Sequence, residues 1–499
     1  MRFFFLLILF CAALLGSSLA QVKPLGTPQL RALWVDAFGA GFKSQTEVDA
    51  LLDYAKRLKL NALFVQIGRR MDCYCNRSAV PRSADPKLAV GFDPLQALIT
   101  KAKPLGIQIH AWIITTAAFN ATEPYFSRNH VMATHGRTSS EPWVTLNNLG
   151  VARAGKDEIL DVGNAAAAEY ITQFYLSVVQ NYDIDGIQFD RVRYPDSFDD
   201  QFRPVWGYNP SSLNRFRLEA GRIDTPLPTD AQWTNWRREQ ITNLVRRIYL
   251  EAKVRKPNLW VSAATITYRS APRNLEEFQK TRTYSEVLQD WAGWTAAGIL
   301  DLNIPMNYKR EFDAAQAKEF DGWNNFAVQT KETALVATGA GIFLNSLKDS
   351  QKQYARALAT AGISGWIGYS YRTADLDVLN AKKTENNGKL DFAKAFGGLF
   401  ASPVVWGQPD ASKLAGILGR VMQNGAPVSR AELELRAADG SSIVVYSDAN
   451  GYYGTPRLPE GKLSIGLLTR DANSVKIPIS LEVVVTRGTV QRVTDFQAP

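Results

Sequence analysis

SQTEVDALLDYAKRLKLNALFVQI, residues 44–67, holds a complete helix-to-strand unit. Ser44 and Glu47 have the spacing of a capping box, in which the hydroxyl accepts an N–H from the first turn and the carboxylate reaches back. Val48, Leu51, Leu52, Ala55 and Leu58 then recur at helical spacing. Three residues, 59–61, turn the chain into an unbroken apolar run at 62–67, which suits a strand buried on both faces of a parallel sheet.

The unit repeats along the chain. Residues 95–103 read as helix before a strand at 107–113, 165–181 before 186–190, 234–254 before 259–266, and 284–297 before 300–306. Helices at 314–328 and 351–361 precede strands at 333–342 and 366–371, and residues 30–36 supply a strand ahead of the first helix. The pattern predicts an α/β chain whose eight parallel strands close into a (β/α)8 TIM barrel over residues 28–400, because parallel neighbours need right-handed helical crossovers. Helix-to-strand connections are short, whereas the strand-to-helix segments 68–91, 114–164 and 191–230 are long. The elaborated rim is therefore at the C-terminal ends of the strands, where barrels of this kind build their sites.

Past residue 401 the pattern changes. Short alternating segments such as 431–435 and 442–446 are separated by turn pairs at Asn424-Gly425, Asp439-Gly440, Asn450-Gly451 and Glu460-Gly461. They predict a small C-terminal antiparallel β-sandwich over residues 413–499, joined by a linker at 403–412. With the barrel closed before residue 401, a chain ending there is expected to keep its site.

A hydrophobic fraction of 46% and a charged fraction of 21% are ordinary for a globular chain. The net charge of +9 comes without a long Lys/Arg run or a nucleic-acid motif, so no nucleic-acid partner is expected; a basic surface suits anionic wall polymers or lipid surfaces. Arg2, the apolar run 3–15 and Ser18-Leu19-Ala20 have the layout of a secretory signal peptide over residues 1–20, cut ahead of Gln21. The run is shorter than the roughly 20 residues of a bilayer span. Cys11 follows Leu9 and Phe10 rather than a small residue, which argues against lipid anchoring. The protein is expected to be secreted or held in the periplasm or cell envelope, without a transmembrane segment and with an oligomeric state that the sequence does not specify. Cys73 and Cys75 are read as two loop thiols, since one intervening residue strains a mutual disulfide. His110, His130 and His135 lack the spacings of a metal site, so neither metal nor other cofactor is expected.

The densest cluster of reactive side chains is DGIQFDRVRYP, residues 185–195. Strand alternation puts Ile187 and Phe189 on one side, and Gly186, Gln188 and Asp190 on the other. Asp190 is thus the last residue on its side, followed by Arg191, Arg193 and Tyr194, and among such donors it is expected to stay ionised as nucleophile or base. Other strand ends carry Asp36; Gln66 with Arg69, Arg70 and Asp72; His110 and Trp112; Asn164; Asn307 and Tyr308; and Trp366, Tyr369 and Tyr371. Rings that stack on sugar faces, beside planar donors for hydroxyls, point to carbohydrate. The candidate substrate-binding set is Asp36, Gln66, Arg70, Asp72, His110, Trp112, Asn164, Arg191, Arg193, Tyr194, Asn307, Tyr308 and Tyr369. Glycoside hydrolysis normally uses two carboxyl groups. Asp290 is the candidate partner of Asp190, with Glu311, Asp36, Asp72, Glu123 and Glu141 as alternatives, because the fifth strand ends without an acid. A barrel that binds carbohydrate without cleaving it stays open as the second reading.

LWVD at 33–36, VQIGRRMD at 65–72, IHAW at 109–112, LDVGN at 160–164 and the stretch 185–195 together resemble the glycosyl hydrolase-like 10 family. YSEVLQDW at 284–291 and IPMNY at 304–308 extend the resemblance, which covers residues 28–375. Some members of that family are understood to cleave peptidoglycan glycan strands, so the resemblance implies a hydrolase with a cell-wall polysaccharide as substrate. Val162 stands where members often carry Pro, and Met306 and Asn307 where they often carry Gln, which leaves fine specificity outside what the resemblance implies. The segments at 419–421, 425–428 and 447–452 resemble carboxypeptidase regulatory-like, prealbumin-type modules.

Overall fold

The computed structural model describes residues 28–498 apart from 125, 199, 472–473 and 477–479. The signal-peptide reading of residues 1–20 lies outside them. Eight parallel strands form a closed barrel: Leu30–Val35, Ala62–Gly68, Gln108–Ile114, Gly186–Asp190, Trp260–Ile266, Leu302–Asn307, Leu335–Gly341 and Ile363–Tyr369. Each pairs with the next in sequence, and the eighth returns to the first through Leu30 opposite Gly365. The third and fourth strands are in register at Ile114 and Asp190, which sets the height of the rim there.

Alternation decides what fills the ring. Leu30, Ala32 and Trp34 point inward with Phe64, Trp112, Trp260 and Ile304, whereas Ile187 and Phe189 face the helices, where Phe189 meets the Tyr175 ring. Inside, the indole N–H of Trp34 crosses from the first strand to the fourth and donates to Gln188 at 2.7 Å. Gly186 leaves room for the His110 ring, which stacks on Phe64 at 4.2 Å; a Cβ on Gly186 would stand 2.3 Å from Nδ1 of His110.

Four local expectations are corrected. Residues 284–297 do not form one helix: Arg282–Ser285 and Trp291–Ala296 are separate, because Leu288 takes a left-handed φ of 58° and Gln289 turns in to accept the N–H of Ile266. Ser44 caps the helix Gln45–Arg57, but Glu47 accepts the N–H groups of Gly41 and Lys43 instead of closing the box on Ser44. Cys73 and Cys75 are joined as a disulfide with Cα atoms 5.0 Å apart. The chain bends at residues 74–75, which brings the two side chains together, and Tyr74 between them donates to Asp85.

The fourth correction concerns residues 403–412, which are no free linker. Val405 accepts the N–H of Gln29, Gly407 accepts the indole N–H of Trp260, and Trp406 stacks on Trp260 with centroids 5.0 Å apart. Trp406 belongs to the cluster that fills the barrel, so this segment closes the floor of the ring at the N-terminal ends of the strands. Beyond it, two sheets enclose a separate core of Ile417, Val421 and Tyr453 against Leu433, Leu435 and Ile465. Pairing is mainly antiparallel, although Gly416–Gln423 also runs parallel to Val490–Arg492 and Phe496–Gln497. This sandwich docks on the helix Ala231–Arg255: the Arg247 guanidinium lies 3.1 Å from the centre of the Tyr452 ring, and buried Glu251 pairs with Arg247, Arg255 and Arg492.

Removing a buried indole leaves a void as well as lost contact. Trp406→Ala is therefore expected to destabilise the protein by about 3–5 kcal/mol, read as a lower midpoint in urea. A chain ending at residue 401 should unfold earlier still, because it loses the whole floor and the docked sandwich.

Candidate functional site

A cavity of about 270 Å3 opens at the C-terminal ends of the strands. Its aromatic lining is Trp34, Trp112, Tyr308 and Tyr369, with Phe38 at the edge. The Tyr308 and Tyr369 rings stack 5.7 Å apart, and Trp34 stands edge-on to both. Burial pushes both phenols well above their ordinary titration range, so they present neutral hydroxyls. Gln66 supplies the polar counterpart. Its side-chain oxygen accepts the N–H of Ala37, while its amide nitrogen is buried with no partner among the described residues. An unpaired buried donor costs about 1–3 kcal/mol, which an acceptor atom on a bound ligand would recover.

Asp190 sits at the wall of this cavity with 8% of its surface exposed. One carboxyl oxygen, Oδ2, accepts the indole N–H of Trp112 at 3.0 Å, and Oδ1 accepts the backbone N–H of Arg191 at 2.6 Å. Arg191 turns that N–H back by taking a left-handed φ of 48°, a conformation that costs a non-glycine residue about 1–3 kcal/mol. Burial pushes the Asp190 carboxyl above its ordinary value, against the pull of the Arg191 charge, the two N–H groups and Arg193. The environment thus favours a held proton more than the strand-end position alone implies.

Of the residues singled out from sequence, Gln66, Arg69, Arg70, Trp112, Asp190, Arg191, Tyr308 and Tyr369 line this cavity. Asp72 lies beside it in a smaller cleft, accepting the Arg70 N–H, while Glu123 holds the Arg70 guanidinium at 2.6 Å. The others are placed elsewhere. Asp290 caps the helix Trp291–Ala296 through the Gly293 N–H, and Asn164 caps Ala165–Asn181. Asn307 points outward, its amide donating to Phe320 and Asn324. Tyr194 donates to buried Asp161, Arg193 reaches Asp196, and Asp36 is paired with Arg372. His110 lies deep in the ring, where burial lowers its pKa to about 3. Among the remaining acids, Glu311 pairs with Arg356 and Glu141 is exposed.

Sequence reasoning passed over Trp34, Asn120 and Asp157, which also line the cavity. Trp34 follows the inward parity of Leu30 and Ala32, so alternation identifies it. Asn120 and Asp157 come from the long insertion after the third strand, which folds into a three-stranded sheet of Ala117–Asn120, Arg153–Ala154 and Asp157–Ile159. No strand-end rule reaches them.

A closed (β/α)8 barrel with a buried carboxylate and an aromatic-lined hollow at its C-terminal mouth defines the class of this protein. The chain belongs to the glycosyl hydrolase-like 10 family, whose model matches residues 29–356. It is similar to the glycosyl hydrolase YngK of Bacillus subtilis, with 24% identity over 342 residues, 64% of this chain and 62% of that one. The glycosyl hydrolase DigH of Escherichia coli K12 is 25% identical over 302 residues, 59% of this chain and 65% of its own. The match thus spans less than two thirds of each relative. Among solved structures, the glycoside hydrolase domain of PgaB (BpsB) from Bordetella bronchiseptica aligns with a TM-score of 0.49 at 13% identity, over 71% of this chain and 97% of that one.

A carboxyl whose pKa is raised by folding binds its proton more tightly in the fold, so its contribution to stability is present below the unfolded pKa, about 4 for Asp, and is lost as pH rises through the folded value. Asp190→Asn, neutral at every pH, is therefore expected to melt at or above the wild-type temperature at pH 7, with the difference shrinking toward pH 3. Thermal unfolding across that range checks the sign.

Proposed function

We propose that the protein is an exported glycoside hydrolase acting on a polysaccharide, and that the polymer is a cell-wall glycan of the peptidoglycan type. The observation that carries the reading is Asp190: a buried carboxyl, pushed toward holding a proton, on the wall of an aromatic-lined hollow. Aromatic faces suit the apolar faces of sugar rings, and the free amide donor of Gln66 suits a ring hydroxyl or acetamido oxygen. The net charge of +9 favours an anionic wall. Family membership supports hydrolysis of a glycosidic bond, and the leader-like residues 1–20 support export.

In this reading Asp190 acts as the acid. Its proton passes to the leaving glycosidic oxygen as the bond to the anomeric carbon breaks, while Trp112 and the Arg191 N–H stabilise the carboxylate that remains. This reading takes Asp190 as proton donor rather than as the nucleophile or base expected at the strand end, and the upward push of burial on its carboxyl supports it.

The expected outcome is cleavage of wall glycan, faster once its stem peptides are stripped, since the insertions after the second, third and fourth strands wall the mouth. Cellulose and xylan should be poor substrates. Mass spectrometry of products from intact wall, peptide-stripped glycan, cellulose and xylan checks this, and Asp190→Asn should lower turnover by about 10²–10⁴-fold. Binding of glycan without any product would favour a carbohydrate-binding barrel instead.

A further inference from the structure

Hydrolysis needs a second acid–base group, and the residues bordering the cavity narrow the choice: the carboxylates among them are Asp190 and Asp157. Asp157 begins the central strand of the inserted three-stranded sheet, with 21% of its side chain exposed, and it borders the hollow. The sheet is fixed to the barrel rather than draped over it. Leu160 donates its N–H to Thr116, and Thr115 donates to the carbonyl of Asp190 itself. Buried Glu158, beside Asp157, is paired with Arg153 and Arg137.

Two donors aim the Asp157 carboxylate. Oδ1 accepts from the Asn120 amide at 2.6 Å, and Oδ2 accepts from the Arg191 guanidinium at 2.7 Å. Arg191 is also the residue whose backbone N–H holds Asp190. One arginine therefore touches both carboxylates, with its main chain on one and the far end of its side chain on the other. Both carboxylates line the same cavity, on walls supplied by different parts of the chain, the fourth strand and the insertion after the third.

We propose, resting on the glycosidase reading above, that Asp157 is the second catalytic carboxylate and acts as the base that activates water. As Asp190 gives its proton to the leaving oxygen and the glycosidic C–O bond breaks, Asp157 takes a proton from the water whose oxygen bonds to the anomeric carbon. One water is consumed, one product gains the hydroxyl, and the other keeps the proton that came from Asp190. The proton on Asp157 returns to solvent and Asp190 is recharged from solvent, so the enzyme ends as it began. Direct displacement by water inverts the anomeric centre.

The test compares wild type, Asp157→Asn and Asp157→Ala on peptide-stripped wall glycan, with folding checked by circular dichroism. Asp157→Asn is expected to lower kcat by about 10²–10⁴-fold with a much smaller change in KM. Sodium azide, a small anionic nucleophile that needs no base, should restore turnover of Asp157→Ala and give a glycosyl azide detectable by mass spectrometry. The wild-type product, followed by proton NMR as it forms, should appear with inverted configuration. A folded Asp157→Asn within about threefold of wild type, an Asp157→Ala that azide does not rescue, or a retained anomer would each overturn the assignment while leaving the glycosidase reading intact. A wild type that cleaves no glycan would overturn the glycosidase reading instead, and this assignment with it.

Discussion

The indole N–H of Trp112 donates to the carboxylate of Asp190 across two neighbouring strands, and much of the mouth is arranged around that contact. Taking a carboxylate out of water costs several kcal/mol, and hydrogen bonds from N–H groups return about 1.5–3 kcal/mol each when one partner is charged. The deficit is tolerable only if both donors are held rigidly. Trp112 is fixed by its strand and by the edge-on Tyr369 ring, and Arg191 is fixed in its left-handed turn. A shift of register between the third and fourth strands by one residue would turn Asp190 toward the helices and away from both donors.

The barrel supplies depth and the insertions supply reach. Strand ends give a dry wall of aromatic rings, because inward-facing positions at the top of a closed ring have neighbours on every side. A group that must meet water or polymer has to come from outside that ring, and the sheet built from residues 117–159 brings one. The division matches exposure: Asp190 is shielded, whereas Arg191 and Asp157 look out into the opening.

How much of this was legible depended on which rule applied. The alternation of residues 186–190, read from sequence, gives the inward parity of Gln188 and Asp190 correctly, since a five-residue strand leaves no freedom once one side is assigned. The same rule, applied to 302–307, sends Asn307 outward with Asn303; including it beside Tyr308 ignored that parity. His110 and Trp112 share a side but not a depth, and depth follows from barrel tilt, which one strand does not reveal. Asp290 drew attention through its neighbours in sequence, yet an Asp three residues before a glycine N–H is equally a helix cap. Asp157 carries no local signal: it stands in a polar insertion, and its importance arises from contact with residues 34 positions away. The floor at 404–407 was hidden for a similar reason, because a Pro- and Gly-bearing stretch between two patterned regions looks the same whether it hangs free or fills a hole.

That floor sets an order of events. The ring of strands is complete in sequence at residue 369, but the tryptophan that occupies its lower end lies 37 residues later, at position 406. A chain emerging from its N-terminus therefore passes through a stage in which all eight strands exist and the lower mouth is open, with the Trp260 face bare. The carboxyl-terminal part then acts as a stopper: it arrives last, and it converts a loosely filled ring into a packed one only when nearly the whole polypeptide is present. Nascent chains of different lengths would accordingly gain protease resistance in a late step rather than strand by strand.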